Sequence, residues 1–192
     1  MPGASSKAAP IADNGVLYVA AGGGAIQGSA GGAVYALDAK TGAIKWAFAP
    51  HGAGISALNK GVAIGDGKVF VGLSNAHVAA IDMETGLLVW GGLAGEDPPA
   101  AGQLISATPV VADGKVLVGV GSGDANFRCR LGTLDVKTGK QVWSFISVPG
   151  LGEIGHDTWP ADGDGWQHGG GGRHGGSGAR SGEDRRHCSI MS

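Results

Sequence analysis

The chain has 192 residues, a formal net charge of −2 and 39 glycines. So small a net charge gives no electrostatic basis for binding nucleic acid or an anionic membrane surface. The sequence contains no run of about 18 apolar residues, so we expect no membrane-spanning helix, and its first residues lack the basic and apolar regions of a secretory signal peptide.

Three copies of one short motif follow one another along the chain. Each copy runs from a strand-like segment through Asp-x-x-Thr-Gly to a tryptophan, at residues 36–46, 80–90 and 133–143. Asp accepts hydrogen bonds from nearby backbone N–H groups and Gly adopts the positive φ of a tight turn, so the motif predicts a hairpin. The tryptophan lies in the second strand of that hairpin, and we expect its ring to fill the space between neighbouring repeats.

A second hairpin signal precedes each copy. Asn14-Gly15, Asp66-Gly67 and Asp113-Gly114 are each followed by alternating apolar residues, which is typical of two-residue hairpin turns. Two hairpins make four strands, and a repeat of roughly 40–50 residues is that of a propeller blade. The sequence therefore predicts an all-β fold, a partial β-propeller of about three four-stranded blades over residues 1–167, without a helix of useful length in its first 150 residues.

Three blades are fewer than the four to eight of a closed propeller, so the sequence is typical of a part of a larger protein. Such an arc leaves strand edges and blade faces open at both ends, and we expect these open edges to self-associate. Residues 168–192 are rich in Gly, Arg and His and offer little apolar surface to bury. We predict that this segment is a disordered tail.

A more specific signal follows the third repeat: Pro-Gly-Leu-Gly-Glu-Ile-Gly-His-Asp-Thr-Trp-Pro at 149–160, then Gly-Trp-Gln-His-Gly-Gly-Gly at 165–171. Together with the repeats, it resembles the pyrroloquinoline quinone (PQQ)-dependent alcohol dehydrogenases, whose eight-bladed propeller binds PQQ and a calcium ion on its axis. The resemblance covers about residues 7–171. It implies a periplasmic oxidoreductase whose small-molecule partners are an alcohol and an electron acceptor.

The resemblance also implies which residues hold the cofactors. Lys60 stands where the family has an Arg that pairs with a quinone carboxylate, and Ser106 stands at a Thr whose hydroxyl binds the quinone. Gly121 belongs to a run in which the family binds the cofactor, and Asp124 matches its calcium ligand. Ca²⁺ prefers carboxylate and carbonyl oxygens. The competing interpretations are a solvated turn lysine for Lys60 and a turn carboxylate for Asp124.

Several positions depart from the family's pattern. Gly54 and Ile55 replace the adjacent cysteines that stack on the quinone, so that Ile55 offers an apolar contact at most, and Lys7 replaces a Glu. After Gly171, the family's Thr- and Trp-containing strand is missing, which is what reading a gene out of frame would produce.

These departures leave more than one function open. In the family, calcium polarises a quinone carbonyl while an Asp base takes the alcohol's proton, and that base lies in later blades. We therefore assign no catalytic residue to this chain and expect a PQQ-dependent alcohol dehydrogenase fragment that is inactive alone, with doubtful PQQ binding. The alternatives are a non-enzymatic propeller scaffold of the outer-membrane assembly lipoprotein type and a degraded gene product.

Overall fold

The computed structural model of the protein describes residues 7–23, 31–98, 101–121, 127–161 and 163–168. Asp124 and residues 169–192 of the predicted tail lie outside the described residues. None of the helices in the described ranges is long and apolar enough to cross a membrane.

The described residues form three antiparallel sheets of four strands, and in each sheet the strands are neighbours in chain order. We call these sheets blades 1, 2 and 3. Their strands are β1 (Ile11–Asp13), β2 (Val16–Gly22), β3 (Gly32–Asp38) and β4 (Ile44–Phe48); β5 (Ala63–Gly65), β6 (Lys68–Gly72), β7 (His77–Asp82) and β8 (Leu88–Leu93); and β9 (Val110–Ala112), β10 (Lys115–Val120), β11 (Arg130–Asp135) and β12 (Gln141–Ile146). Two short 3₁₀ helices follow, at His156–Thr158 and Gly165–His168. The predicted all-β fold with three four-stranded blades is confirmed.

The turn between the third and fourth strands is built alike in all three blades. In blade 1, Oδ1 of Asp38 accepts hydrogen bonds from the backbone N–H groups of Lys40 and Thr41, at 3.0 and 2.9 Å, and from the Thr41 hydroxyl at 2.9 Å. Asp82 and Asp135 accept the same three bonds in blades 2 and 3. These bonds lower the pKa of each carboxyl group, because they favour its ionised form.

The blades pack face to face around two apolar cores. Val34 and Ala36 of blade 1 meet Val71 and Ile81 of blade 2 in one core. In the other core, shared by blades 2 and 3, the largest fully buried side chain is that of Phe70. Because the middle strands are covered on both faces of the sheet, their sequences are nearly continuous apolar runs.

The first strands of neighbouring blades lie at the narrow side of the arc. Gly65 of β5 approaches β9 so closely that a Cβ built on it would lie 2.7 Å from Cγ1 of Val111. In a propeller the first strand of each blade is the one nearest the axis, so β1, β5 and β9 define the inner side of the molecule.

The repeated tryptophans join one blade to the next. The indole N–H of Trp46 donates to the carbonyl of Met83 at 3.0 Å, and that of Trp90 donates to Val136 at 3.2 Å. Both rings pack between blades, as the sequence predicts. Trp143 is 42% exposed, because no blade follows blade 3 in the part of the chain that the structure describes.

Candidate cofactor site

The segments that lead into the three first strands meet at the inner side of the arc. The backbone N–H of Lys60 donates to the carbonyl of Ser106 at 2.8 Å, and the Lys60 carbonyl accepts from the N–H of Ala9 at 3.0 Å. Ala9 and Gly61 form an isolated parallel bridge. Two of the sequence-predicted cofactor residues, Lys60 and Ser106, are therefore direct neighbours.

The third predicted cofactor residue lies at the same end of blade 3. Gly121 follows β10, and its N–H donates to the carbonyl of Leu104 at 3.0 Å. Leu104 is only two residues before Ser106 in the chain. The structure thus brings Lys60, Ser106 and Gly121 into one neighbourhood through backbone contacts, while Asp124 lies outside the described residues.

A glycine makes this close approach possible. Gly61 has φ +154°, and a Cβ at this position would lie 3.0 Å from Oγ1 of Thr108 and 3.2 Å from the carbonyl oxygen of Ala9. A side chain at residue 61 would therefore crowd Thr108 and Ala9, in a backbone conformation that favours glycine.

The polar groups at this site are mainly hydrogen-bond donors. The side chain of Lys60 is exposed and that of Ser106 is partly buried. Asn59, only 2% exposed, accepts from the N–H of Gly61 at 3.0 Å, while its Nδ2 has no hydrogen-bond partner among the described residues. An amide N–H group and an ammonium group both suit an anionic ligand, so the donors that Asn59 and Lys60 carry fit the carboxylates of PQQ.

Ile55 does not supply an apolar surface for the cofactor. Ile55 is 1% exposed and packs into the core between blades 1 and 2, and its N–H donates to the carbonyl of Gly31 at 2.9 Å. The expectation that Ile55 offers an apolar contact to a ligand is wrong, because its side chain faces the core. No group of three or more His, Cys, Asp or Glu side chains that could hold a metal ion is present among the described residues.

Sequence reasoning missed the role of Glu153 within the Pro-Gly-x-Gly-Glu run. Its carboxylate accepts from the N–H of Gly150 at 2.7 Å and forms an ion pair with Arg128. The guanidinium of Arg128 lies 5.7 Å from the ring centre of Trp166 and donates to the carbonyl of Val148 at 2.8 Å. Glu153 therefore links the segment after blade 3 to Arg128, which lies just before β11.

The hydrogen bond from Gly150, more than the charge of Arg128, holds the pKa of Glu153 below its ordinary value. Arg128 and Glu153 are 25 residues apart, so no local spacing marks them as partners. Glu153 lies in the run at 149–160 that carries the resemblance and Arg128 does not, so that run does not mark the two residues as partners either.

Two cavities lie between blades 1 and 2. One, of about 540 Å³, is largely apolar and is lined by Phe48, Leu73 and Leu88 among others. The other, of about 660 Å³, is more polar and is lined by Asp13 and Glu84 together with aromatic side chains. Neither of these two cavities is lined by Lys60, Ser106 or Gly121.

Comparison with known proteins agrees with this architecture. Residues 3–150 match the family model described as "Outer membrane protein assembly factor BamB", which represents PQQ repeats. The chain belongs to the PQQ-repeat propeller family. The match spans all three blades, so the family assignment rests on the repeats and not on the segment after them.

Within this family, the chain is similar to quinoprotein dehydrogenases. It is 38% identical to quinohemoprotein alcohol dehydrogenase ADH-IIG of Pseudomonas putida over 61% of this chain and 17% of that protein. It is 32% identical to the lanthanide-dependent methanol dehydrogenase of Methylacidiphilum fumariolicum (strain SolV), over 71% of this chain and 26% of the relative. The crystal structure of quinohemoprotein alcohol dehydrogenase from Comamonas testosteroni superposes with a TM-score of 0.65 at 30% identity, covering 76% of this chain and 22% of that one.

These similarities confirm the predicted resemblance to PQQ-dependent alcohol dehydrogenases. The chain spans about a fifth of the length of the curated relatives it matches.

Proposed function

We propose that the chain forms one sector of a PQQ-dependent alcohol dehydrogenase propeller and contributes one side of its axial cofactor site. The observation that carries the proposal is the backbone hydrogen bond of 2.8 Å between Lys60 and Ser106, which joins the segments leading into blades 2 and 3. This bond brings together two segments that carry three potential donors, the ammonium group of Lys60, the hydroxyl of Ser106 and the amide of Asn59. Such a group of donors suits a ligand that carries several carboxylates.

Each predicted residue has a distinct part in this proposal. Lys60 pairs its ammonium group with one cofactor carboxylate, as a point charge and without the bidentate geometry of an Arg. Ser106 donates its hydroxyl, and Gly121 lets the backbone approach the cofactor because it has no side chain. Asp124 contributes a carboxylate oxygen to a calcium ion. When bound, PQQ would supply the electron acceptor for oxidation of the alcohol.

One sector of an axial site cannot complete the reaction by itself. A site on the axis takes groups from blades all around the ring, and the base that the resemblance implies belongs to blades other than these three. We therefore propose that the 192-residue chain is inactive alone, that its parent enzyme passes electrons from an alcohol to a separate acceptor, and that it works in the periplasm, as the family resemblance implies.

A second candidate is a non-enzymatic propeller scaffold. Two observations favour it: Ile55, at the position of one of the family's stacking cysteines, is buried in the core, and Lys60 replaces an Arg. The matching family model is also described by an assembly factor of the outer membrane. The scaffold predicts that Lys60 has no role in binding PQQ.

PQQ binding separates the two candidates. We expect equilibrium dialysis of the chain with PQQ and Ca²⁺ at low ionic strength to show weak, saturable binding. Lys60→Gln should weaken this binding about tenfold or more, because a hydrogen bond to a charged group contributes about 1.5–3 kcal/mol.

Lys40→Gln is the matched control, since Lys40 is an exposed turn lysine whose contact with Asp38 is made by its backbone. It should bind PQQ as the unchanged chain does. Absence of PQQ binding, or equal affinity of the Lys60→Gln variant, contradicts the cofactor role. Turnover of a primary alcohol with an artificial dye contradicts the proposed inactivity.

A further inference from the structure

We propose that blade 3 of one chain docks on blade 1 of a second copy of this chain, head to tail, with Trp143 as the anchor. This inference goes beyond the cofactor function and does not depend on it. It rests on a contact between a tryptophan of one blade and the Asp-x-x-Thr-Gly turn of the next blade, which the chain makes twice within itself. Trp143 of blade 3 and the turn of blade 1 are a further tryptophan and a further turn of the same kind, and neither makes this contact within the described arc.

The two internal contacts, which we call joints, show what a joint between two blades requires. Trp90 is 9% exposed, its indole N–H donates to the carbonyl of Val136, and its ring lies over Gly139. A Cβ built on Gly139 would lie 2.5 Å from Cε3 of Trp90, and one built on Gly86 would lie 2.7 Å from the ring of Trp46. Each joint therefore pairs a tryptophan with a turn that must end in glycine.

Blade 1 presents the same turn with nothing on it. Gly42 has φ +71°, close to the +73° and +70° of Gly86 and Gly139, and no atom of the described residues lies within 4 Å of a Cβ built on it. The hydrogen bonds of Asp38 hold this turn in the shape that Asp82 gives the turn of blade 2. The acceptor is thus formed in advance and needs no rearrangement to receive an indole ring.

The carbonyl needed for the indole N–H is also present in blade 1. Ala39 follows Asp38 as Met83 follows Asp82 and Val136 follows Asp135. The carbonyls of Met83 and Val136 accept the two internal indole bonds. We therefore assign the carbonyl of Ala39 as the acceptor for the indole N–H of Trp143 from the second copy.

Blade 3 supplies the matching apolar face. Trp143 is 42% exposed, and Phe145, two residues further along β12, is 63% exposed. At the position in β4 that corresponds to Phe145, Phe48 packs against the core between blades 1 and 2. Trp46 and Phe48 are partly buried against the core between blades 1 and 2, whereas Trp143 and Phe145 are left in water on blade 3, at a cost that association would remove.

The partner is a second copy because the two halves of the joint lie at opposite ends of one described arc. Contacts of this heterologous kind close into a ring when the rotation between subunits allows it and otherwise extend into a chain. Two arcs of three blades contain six blades, which is within the range of four to eight found in closed propellers. A head-to-tail dimer is the smallest assembly that this contact can form.

Sedimentation velocity of the 192-residue chain without PQQ, over a range of concentrations, tests the proposal. We expect the unchanged chain to associate as its concentration rises. Trp143→Ala, which removes the anchor, and Gly42→Asn, which places a Cβ where the ring would lie, should each weaken association roughly thirtyfold. Asn tolerates the positive φ of residue 42, so the turn should persist.

A mixture of the two variants gives the sharpest test. Trp143→Ala keeps its acceptor turn and Gly42→Asn keeps its anchor, so an equimolar mixture should form a dimer that neither variant forms alone. Gly52→Asn is the matched control, because Gly52 has φ +81° and no atom within 4 Å of its built Cβ. Circular dichroism of each variant checks that the blades remain folded.

Three results would overturn the proposal. A chain that stays monomeric at all concentrations lacks the joint. Association that Trp143→Ala weakens and Gly42→Asn does not shows contact between two blade 3 faces. Failure of the mixture to associate, with both variants folded, rules out the pairing of Trp143 with the turn of blade 1.

Discussion

The outer strands of blades 2 and 3 carry the same tryptophan after the same turn, yet the two side chains have different surroundings. Trp90 in β8 is almost fully buried, and Trp143 in β12 is exposed. The turns that precede them have the same hydrogen bonds, at nearly the same distances. The difference comes only from the neighbouring blade, so the burial of this tryptophan belongs to a pair of repeats and not to one repeat.

Replacing the two tryptophans should give the largest difference. Trp90→Ala should lower the free energy of unfolding by about 3–5 kcal/mol, because it leaves a cavity between blades 2 and 3. Trp143→Ala should change it by about 0.5 kcal/mol or less, as at other exposed positions. Urea denaturation at a concentration where the chain is monomeric measures both. Equal losses from the two substitutions would show that the position of the tryptophan between blades does not matter.

The glycines on the receiving side should show a smaller difference of the same kind. Gly139→Ala and Gly42→Ala both place a side chain at positive φ, which costs about 1–3 kcal/mol in each case. Only the Ala at residue 139 meets a ring, since its Cβ would lie 2.5 Å from Trp90. Gly139→Ala should therefore cost about 1–3 kcal/mol more than Gly42→Ala in the same urea titration. A larger loss from Gly42→Ala would contradict the docking contact.

The carboxylates of the turns should behave alike in blades 1 and 3, in contrast to the tryptophans. Hydrogen bonds that Thr41 and Thr138 donate to the carboxylates lower the pKa of Asp38 and of Asp135 from the ordinary value of 3.8. A carboxyl group whose pKa is lower in the folded state than in the unfolded state stabilises the protein at pH values above its unfolded-state pKa. This contribution is lost as the pH falls through the folded-state pKa. The urea concentration at the unfolding midpoint should therefore decrease as the pH is lowered below about 4.

Asp38→Asn and Asp135→Asn should each reduce that acid-induced fall by a similar amount. Urea titrations at pH 7 and pH 3 measure it. A pH dependence that responds to only one of the two substitutions would show that the turns are not equivalent.

The smallest expected effect concerns the segment after blade 3. Glu153→Gln keeps an acceptor for Gly150 but loses the ion pair with Arg128. We expect faster amide exchange in residues 148–158 with little change in the urea midpoint, because the pair is exposed and such pairs contribute little to global stability. Lys140→Gln is a control for loss of one surface charge. Unchanged exchange at residues 148–158 would contradict the tethering role of Glu153.

The sequence predicted what is encoded within one repeat. The five residues of the Asp-x-x-Thr-Gly motif that begins at Asp82 contain every group that forms its turn. The hairpins and the blades could therefore be predicted from the repeated motif. The neighbourhood of Lys60 and Ser106 came only from resemblance, because the two residues are 46 positions apart. The burial of Ile55 and the pairing of Arg128 with Glu153 depend on how blades and later segments stack, which no local pattern specifies.

Hydrogen exchange of the indole N–H groups, followed by NMR with each signal assigned by a Trp→Phe variant, tests the central claim most directly. The indole N–H groups of Trp46 and Trp90, bonded to Met83 and Val136, should be protected at every protein concentration. That of Trp143 should exchange freely in dilute solution and become protected as the concentration rises. Protection of Trp143 in dilute solution, or no gain in its protection at high concentration, would contradict the account.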